Sequence, residues 1–276
     1  MTLDDILNSG DKAVKVKRLK DVGQLDGRVG NPRILTIDIE NSPIKADVWG
    51  LWQNNVSLNQ IREVGQVISF AAKWYGQPKV EFRSDFHDGH DAMVKRSHEL
   101  YDEADIIYGW NSHRFDGPHL KREWLLAGLG PVSPYKDVDL MLVAKREFKF
   151  ASNKLDFIAQ QLGVGSKLAH QGHTLWRRCE ENDPAAWAIM RKYNIQDTKI
   201  TEAVADVLRP WIKGHPIMGV MATPDEQSCV RCGSLELRKT DKTYRVNLID
   251  YVLYQCKCGG YVKGERYGRG GNSRGV

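Results

Sequence analysis

Apolar residues in the first half of the chain come in short, β-branched runs separated by turn signals. ILTIDIE (34–40) lies between Asn-Pro and Asn-Ser-Pro, which predicts a buried strand. VWGLWQ (48–53), VISFAAKWYG (67–76) and KVEFRS (79–84) predict three more, and ADIIYGWN (104–111) a short one that ends in polar residues. DFHDGHD (85–91) reads as a polar turn and MVKRSHELYDE (93–103) as a helix. In DGPHLKREWLLAGL (116–129), Leu120, Trp124, Leu125 and Leu129 recur at helical spacing. LMLVAKREF (140–148) and LDFIAQQLG (155–163) predict two further helices, the second stopped by Gly163. A long helix is expected over 183–211, with Asp183 as its N-cap, Pro184 at the first helical position and Pro210 near the far end. Strands come first, then strands alternate with helices, then helices run alone. That order predicts an α/β fold built on a mixed sheet rather than repeated βαβ units.

The chain divides by composition. Residues 1–31 read as a basic leader, 32–214 as the main domain, 215–228 as a linker, 229–263 as a small β-type module and 264–276 as a Gly/Arg-rich tail expected to be disordered. With 276 residues and 41% hydrophobic content, one sizeable core plus an appended module is affordable. There is no uninterrupted apolar run long enough to span a membrane, and the charged N-terminal stretch is unlike a signal peptide. A cytoplasmic location is therefore expected, the host cytoplasm if the gene is a phage's. Net charge is +5; residues 217–276 hold ten Lys/Arg against six Asp/Glu, the remaining 216 residues 30 against 29. A basic end on a balanced body fits a polyanion partner or a solubilising tail.

Three polar patterns interrupt the apolar runs. Asp38 and Glu40, two apart on a predicted strand, share one face. Two such carboxylates repel, and protonation or a hard divalent cation such as Mg²⁺ relieves the repulsion. Asp116, in WNSHRFDGPHL, sits between a strand and a helix, where α/β proteins place ligands. Tyr193 and Asp197, in YNIQD, are four apart and share a helix face. In isolation each has a plainer reading: a strand-end acid facing water, an N-cap, a surface Asp beside a half-buried Tyr.

Together, the order D-x-E, N-x3-F-D and Y-x3-D resembles the three motifs of the DEDD (DnaQ-like) 3′–5′ exonucleases. Y-x3-D is the form of the tyrosine-bearing (DEDDy) subgroup, which includes the proofreading domains of family B DNA polymerases. IIYGWNSHRFDGPHLKRE is similar to that group's second motif along its length, and NKLDFIAQQLGVGSK to the Lys-Leu-Asp and Leu-Gly segment that follows it. The resemblance covers about residues 32–210. It implies an RNase H-like fold and two-metal phosphodiester hydrolysis, with two Mg²⁺ or Mn²⁺ ions. Asp38 would bridge both metals, Glu40 and Asp197 complete the first site, and Asp116 support the second partly through water. Tyr193 would orient the attacking water, and Asn111 and Phe115 would shape the path of the substrate strand. With no polymerase segment following, the expectation is a stand-alone exonuclease of a kind often found in phages, working in DNA replication or repair.

Cys229 and Cys232 are separated by two residues, and Cys256 and Cys258 by one. Four thiolates in two close pairs suit a closed, tetrahedral, structural Zn²⁺ site. CVRCG and YQCKCGG resemble the knuckles of a zinc ribbon, with a second gap one residue shorter than usual. A module this small needs the metal for much of its folding energy. Arg231, Arg238, Lys239, Lys242 and Arg245 could grip phosphates; a contact with a replication or repair protein is the competing use. Cys179 stands apart, as a small buried hydrophobe.

Other residues invite chemistry without carrying it. His87 and His90 lie in the acidic turn, and His170 and His173 in an expected loop. Lys167 reads as solvated, and most of Trp49, Trp52, Trp74 and Trp110 as core or sheet-face residues. Three functions follow: a 3′–5′ exonuclease on single-stranded DNA, an exoribonuclease using the same carboxylates, or a non-catalytic nucleic-acid-binding zinc-ribbon protein.

Overall fold

The β-branched run ILTIDIEN becomes strand β1 (Ile34–Asn41), the middle strand of the main sheet. The structure is a computed structural model that describes residues 32–52, 55–168, 172–216, 218 and 227–267. In chain order β1 is followed by β2 (Lys45–Ala46), β3 (Ile61–Glu63), β4 (Val67–Trp74) and β5 (Glu81–Ser84). Helices α1 (Asp85–Asp88) and α2 (His90–Asp102) come next, then β6 (Ile106–Gly109), α3 (Asp116–Leu126) and β7 (Lys136–Asp139). The unit is completed by α4 (Leu140–Glu147), α5 (Leu155–Gln161), α6 (His173–Glu180) and α7 (Pro184–Leu208). Its sheet has five strands in the order β5-β4-β1-β6-β7; β1, β4 and β5 run antiparallel, and β1, β6 and β7 parallel. This is the mixed sheet flanked by helices that the element order implies.

The two faces of β1 do different work. Ile37 and Ile39 point into a cluster with Met93, Leu100, Tyr101, Leu120 and Trp124 from α2 and α3. Thr36, Asp38 and Glu40 take the opposite face, in register with Lys73, Ala71 and Ser69 of β4. The small side chains at 69 and 71 let α7 close on that face: Thr198 Oγ1 donates to the Ala71 carbonyl at 3.1 Å and Ser69 Oγ to Asn194 Oδ1 at 3.3 Å. Lys73 Nζ meets both carboxylate oxygens of Glu202 on α7, at 2.6 and 2.8 Å. Leu175, Cys179, Trp187 and Met190 bury a second apolar cluster between α6 and α7. Cys179 is thus the buried small residue expected, and burial pushes its thiol up to about 11.

Several elements depart from the sequence expectation. Residues 48–52 form no strand; the apolar run finds no partner strand, and Trp49, Leu51 and Trp52 are 97%, 94% and 92% exposed. DFHDGHD is not a turn. Ser84 caps α1 by accepting the His87 N–H, Asp88 accepts the Ser84 N–H, and Gly89, at φ +82°, separates α1 from α2. Leu125, expected on the apolar stripe of α3, points outward. The polar KDVD becomes β7 because it lies parallel to β6. The last helix gives way to a 3₁₀ turn at Arg209–Trp211, where Pro210 lacks the N–H that would continue it.

The described residues form two compact units, Arg33–Val204 and the stretch from Ala205 onward with Pro32. The second carries a three-stranded antiparallel sheet, β8 (Leu237–Val246), β9 (Ile249–Cys256) and β10 (Tyr261–Arg266), in the order β10-β9-β8. Strand β10 reaches Arg266, three residues into the stretch expected to be a disordered tail. The basic leader, residues 268–276 of that tail and most of the linker lie outside the described residues, as does His170.

The Lys73–Glu202 pair is largely shielded from water, at 10% and 15% side-chain exposure. Lys73→Met is expected to destabilise the protein by about 3 kcal/mol, because it removes the cation beside a shielded carboxylate. Lys73→Met with Glu202→Leu should recover most of that loss. Urea titrations of the three proteins check both statements.

Candidate active site

Strand β1 supplies Asp38 and Glu40 to one face, and α7 lays Tyr193, Asn194 and Asp197 over it. Carboxylate oxygens of Asp38, Glu40 and Asp197 lie within 4.8 Å of one another. Asp116 reaches the same strand from the start of α3. Pairing of β1 with β6 stops at Thr36, so the N–H of Ile39 has no strand partner there and donates to Asp116 Oδ1 at 3.2 Å. Asp116 is the first residue of α3, but its side chain does not cap that helix. It serves β1, between the two acids.

The loop that delivers Asp116 is tightly set. A Cβ on Gly109 would come within 2.5 Å of the Ser112 side chain, so only glycine fits where β6 turns. Asn111 follows at φ +68°, a conformation asparagine tolerates better than most residues. Asp139, at the end of β7, accepts the N–H groups of Asn111 and His113 at 3.1 and 3.3 Å and also caps α4. Phe115 is partly exposed and packs on His119 with ring centroids 4.5 Å apart. Asn111 and Phe115 thus lie on the loop that leads into Asp116.

Two residues not expected at the site from sequence are there. Asn194 is fully buried, and its amide donates to Asp38 Oδ2 at 2.6 Å and to the Asp38 carbonyl at 3.0 Å. It sits inside YNIQD, and its spacing from Tyr193 and Asp197 gave no hint of its direction. Lys167 is not a solvated lysine. Its ammonium is paired with Asp197 and donates to the Tyr193 hydroxyl at 3.1 Å. Asp156 positions it by accepting the Lys167 N–H at 2.7 Å, after the chain turns through Gly163 and Gly165. The Leu-Asp of α5 and the glycines that follow were the available signal.

The electrostatics are one-sided. Burial, then repulsion from Glu40, Asp116 and Asp197, holds the Asp38 carboxyl well above the usual carboxylate range. Burial, then Asp197, lifts Glu40 to about 8, and burial lifts Asp116 to about 7. Burial disfavours the charged form of Lys167, but Asp197, Tyr193 and Asp38 outweigh it and hold the ammonium above its ordinary value. Burial and then Asp197 and Glu40 keep the Tyr193 phenol protonated. With Lys167 in place the acids are still undercompensated. A cluster of hard oxygen donors with excess negative charge fits divalent cations such as Mg²⁺ or Mn²⁺.

A family model described as the RNase H superfamily matches residues 61–209, which is 149 of the 276 residues. The chain belongs to the RNase H superfamily. The match takes in Asp116, Lys167, Tyr193 and Asp197 and begins beyond Asp38 and Glu40. Among solved structures, the family B DNA polymerase from the hyperthermophilic archaeon Pyrobaculum calidifontis is similar, with a TM-score of 0.50 and 20% sequence identity. The likeness covers 74% of this chain and 27% of the polymerase, so the chain spans about a quarter of that protein's length. At this identity the likeness is one of fold. None of the curated proteins matches. The fold is that of the RNase H superfamily, and Asp38, Glu40 and Asp197 form a group that could hold a metal ion.

The second unit holds a different donor set. The Sγ atoms of Cys229, Cys232, Cys256 and Cys258 all lie within 4.8 Å of one another. Two of the separations are 3.7 Å (Cys229–Cys258) and 3.5 Å (Cys232–Cys256). These are too long for disulfides and near the roughly 3.8 Å edge of a tetrahedron of thiolates around zinc. The one-residue gap of the second pair is accommodated by Gly259, at φ +87°, whose N–H closes a turn on the Cys256 carbonyl at 3.0 Å. The four thiols could thus hold one structural Zn²⁺.

Two predictions follow from the two donor sets. Glu40 and Asp116 have folded-state pKa values raised from 4.5 to about 8 and from 3.8 to about 7. Their contribution to stability is then fully present below the unfolded values and lost as pH rises through the folded ones. Without divalent metal, the melting temperature should fall between pH 5 and pH 8 by more in this protein than in an Asp38→Asn variant. Mg²⁺ should restore it at pH 8 and have little effect at pH 5, as thermal melts will read. Metal analysis of protein purified without chelator should find one zinc per chain, and Cys229→Ser with Cys232→Ser should abolish it.

Proposed function

We propose that the protein is a 3′–5′ exonuclease of the tyrosine-bearing DEDD type, which removes nucleotides from single-stranded DNA by a two-metal mechanism. The observation that carries this reading is the convergence of Asp38, Glu40 and Asp197 within 4.8 Å, with Asp116 bound to the backbone between the first two. Asp38, Glu40 and Asp197 would hold one Mg²⁺ or Mn²⁺, and Asp38 with Asp116 the other. Such ions, when bound, offset the carboxylate repulsion, polarise the phosphodiester and lower the pKa of water.

The chain's own groups do the rest. Asn194 is anchored on the Asp38 carbonyl and fixes the Asp38 rotamer through its bond to Oδ2, so this acid need not reorganise as substrate arrives. Tyr193 keeps its proton on Oη, at the edge of the acids, and can orient a water there. Lys167 places a permanent positive charge beside Asp197 and Tyr193, where charge develops on a phosphate undergoing attack. Phe115, partly exposed on the loop before Asp116, offers a ring against the last base, and Asn111 shapes the same loop. The Y-x3-D form of the third motif and the fold shared with a family B DNA polymerase support proofreading-type action on DNA.

Incubation with Mg²⁺ and 5′-labelled single-stranded DNA should give a ladder that shortens from the 3′ end. Asp38→Ala should lower the rate by at least about 10³-fold, and Asn194→Ala by about 10–100-fold with a raised Mg²⁺ requirement. A ladder on RNA alone would identify a ribonuclease. Binding without any cleavage, or a fully active Asp38→Ala, would refute the reading.

A further inference from the structure

The unit that carries the cysteines also carries a groove of about 970 Å³. One wall is the 3₁₀ turn after α7, with Pro210 and Trp211; the other is a face of the three-stranded sheet. Arg238 of β8 and Tyr261 of β10 both lie directly opposite Gln255 of β9, so the three form one row on one face. Their side chains are linked along it. Arg238 Nη2 donates to Gln255 Oε1 at 3.2 Å, and Gln255 Nε2 donates to the Tyr261 hydroxyl at 3.4 Å. Gln255 thereby uses both ends of its amide to hold a guanidinium on one side and a phenol on the other. Arg231, from the first cysteine knuckle, lines the same groove and is anchored through one guanidinium nitrogen to the Ile212 carbonyl.

The charge in the groove has one sign to spare. Glu236 is paired with Lys257, and Asp206 with Arg209, so the two acids of the lining are matched by neighbouring cations. Arg231 and Arg238 remain as surplus. Trp211 is 57% exposed and Tyr261 49%, large for aromatic rings in a cleft. The surrounding residues 227–267 hold eight Lys/Arg against four Asp/Glu. Guanidinium groups alternating with exposed rings are the chemistry that grips unpaired nucleic acid, through phosphates and base faces in turn. An acidic peptide would use the arginines and leave the rings without flat partners.

We propose that this groove binds an unpaired stretch of DNA or RNA, with phosphate on Arg238 and Arg231 and a base stacked against Trp211 or Tyr261. The proposal rests on the nuclease reading for the choice of polymer, and its test reads binding alone. Full-length protein carrying Asp38→Ala, without added Mg²⁺, would be titrated against labelled oligo-dT and oligo-U, with fluorescence anisotropy as readout. Arg238→Glu and Tyr261→Ala should each weaken binding about tenfold, the loss expected for one stacked base or one charge-reversed contact. Arg238→Glu alone should flatten the salt dependence. One zinc per chain confirms that each variant is folded. An independent arm needs no substitution: halogenated oligonucleotides, photo-cross-linked and mapped by mass spectrometry, should mark Trp211 or Tyr261. Similar affinity for the two oligonucleotides is expected, and a preference would identify the polymer. Affinity unchanged by both substitutions, with cross-links confined to other residues, would overturn the proposal and point to a protein occupant. A chain that binds through the groove but never cleaves would remove the nuclease reading and leave the groove; the converse result would do the reverse.

Discussion

Like charges placed side by side on a half-buried strand face set the terms for the main unit. Asp38 and Glu40 share the helix-covered face of a central strand, where alternate residues are otherwise apolar or small. Desolvation and mutual repulsion both oppose ionisation there, and Asp197 and Asp116 add to the repulsion. A fold can keep such a cluster only by surrounding it with compensating groups. Asn194 donates to Asp38, the Ile39 amide to Asp116, and Lys167 pairs with Asp197. Each satisfies one acid, and none satisfies all. The remaining deficit of positive charge suits the cluster to a cation, where a polar network complete in itself would have no such need.

Keeping the acids together is a problem of chain topology. The residues come from positions 38 to 197, and the segments meet because small side chains on β4 allow a long helix to lie close. Ser69 and Ala71 stand beside Glu40 and Asp38, and Thr198 and Asn194 bond to that strand directly. Lys73 and Glu202 hold the same helix one turn further on. Bulkier residues at 69 or 71 would lift α7 from the sheet and carry Asp197 out of reach of β1. The packing of an apparently structural strand is therefore part of the chemistry.

This geometry explains what the sequence could and could not announce. Asp38–Glu40 and Tyr193–Asp197 were legible because period two and period four are local properties, fixed once strand and helix are assigned. Asn194 was not, because adjacent helix positions point in different directions and only the packing of α7 decides which one meets β1. Lys167 reads as solvated in a Gly-rich loop; its burial depends on Asp156 and on acids 30 and more residues away. VWGLWQ has the composition of a strand, but composition does not supply a partner, and its tryptophans stand in solvent. KDVD fails the opposite way: too short and polar to read as a strand, it becomes one by lying beside β6.

The two donor sets would also favour different metals. Three carboxylates present hard oxygens, and four cysteines present soft sulfur. Thiolates discriminate strongly against Mg²⁺, so the cysteine cluster selects by ligand type. Carboxylates do not discriminate against zinc, which binds most oxygen sites more tightly than magnesium does. Selection at the acids would then fall to metal availability, with the Lys167 ammonium competing for Asp197. A charged side chain paired with Asp197 would raise the threshold for a first ion, and the negative charge of a substrate phosphate would lower it again. The acids would then be half of a site, which a substrate would complete.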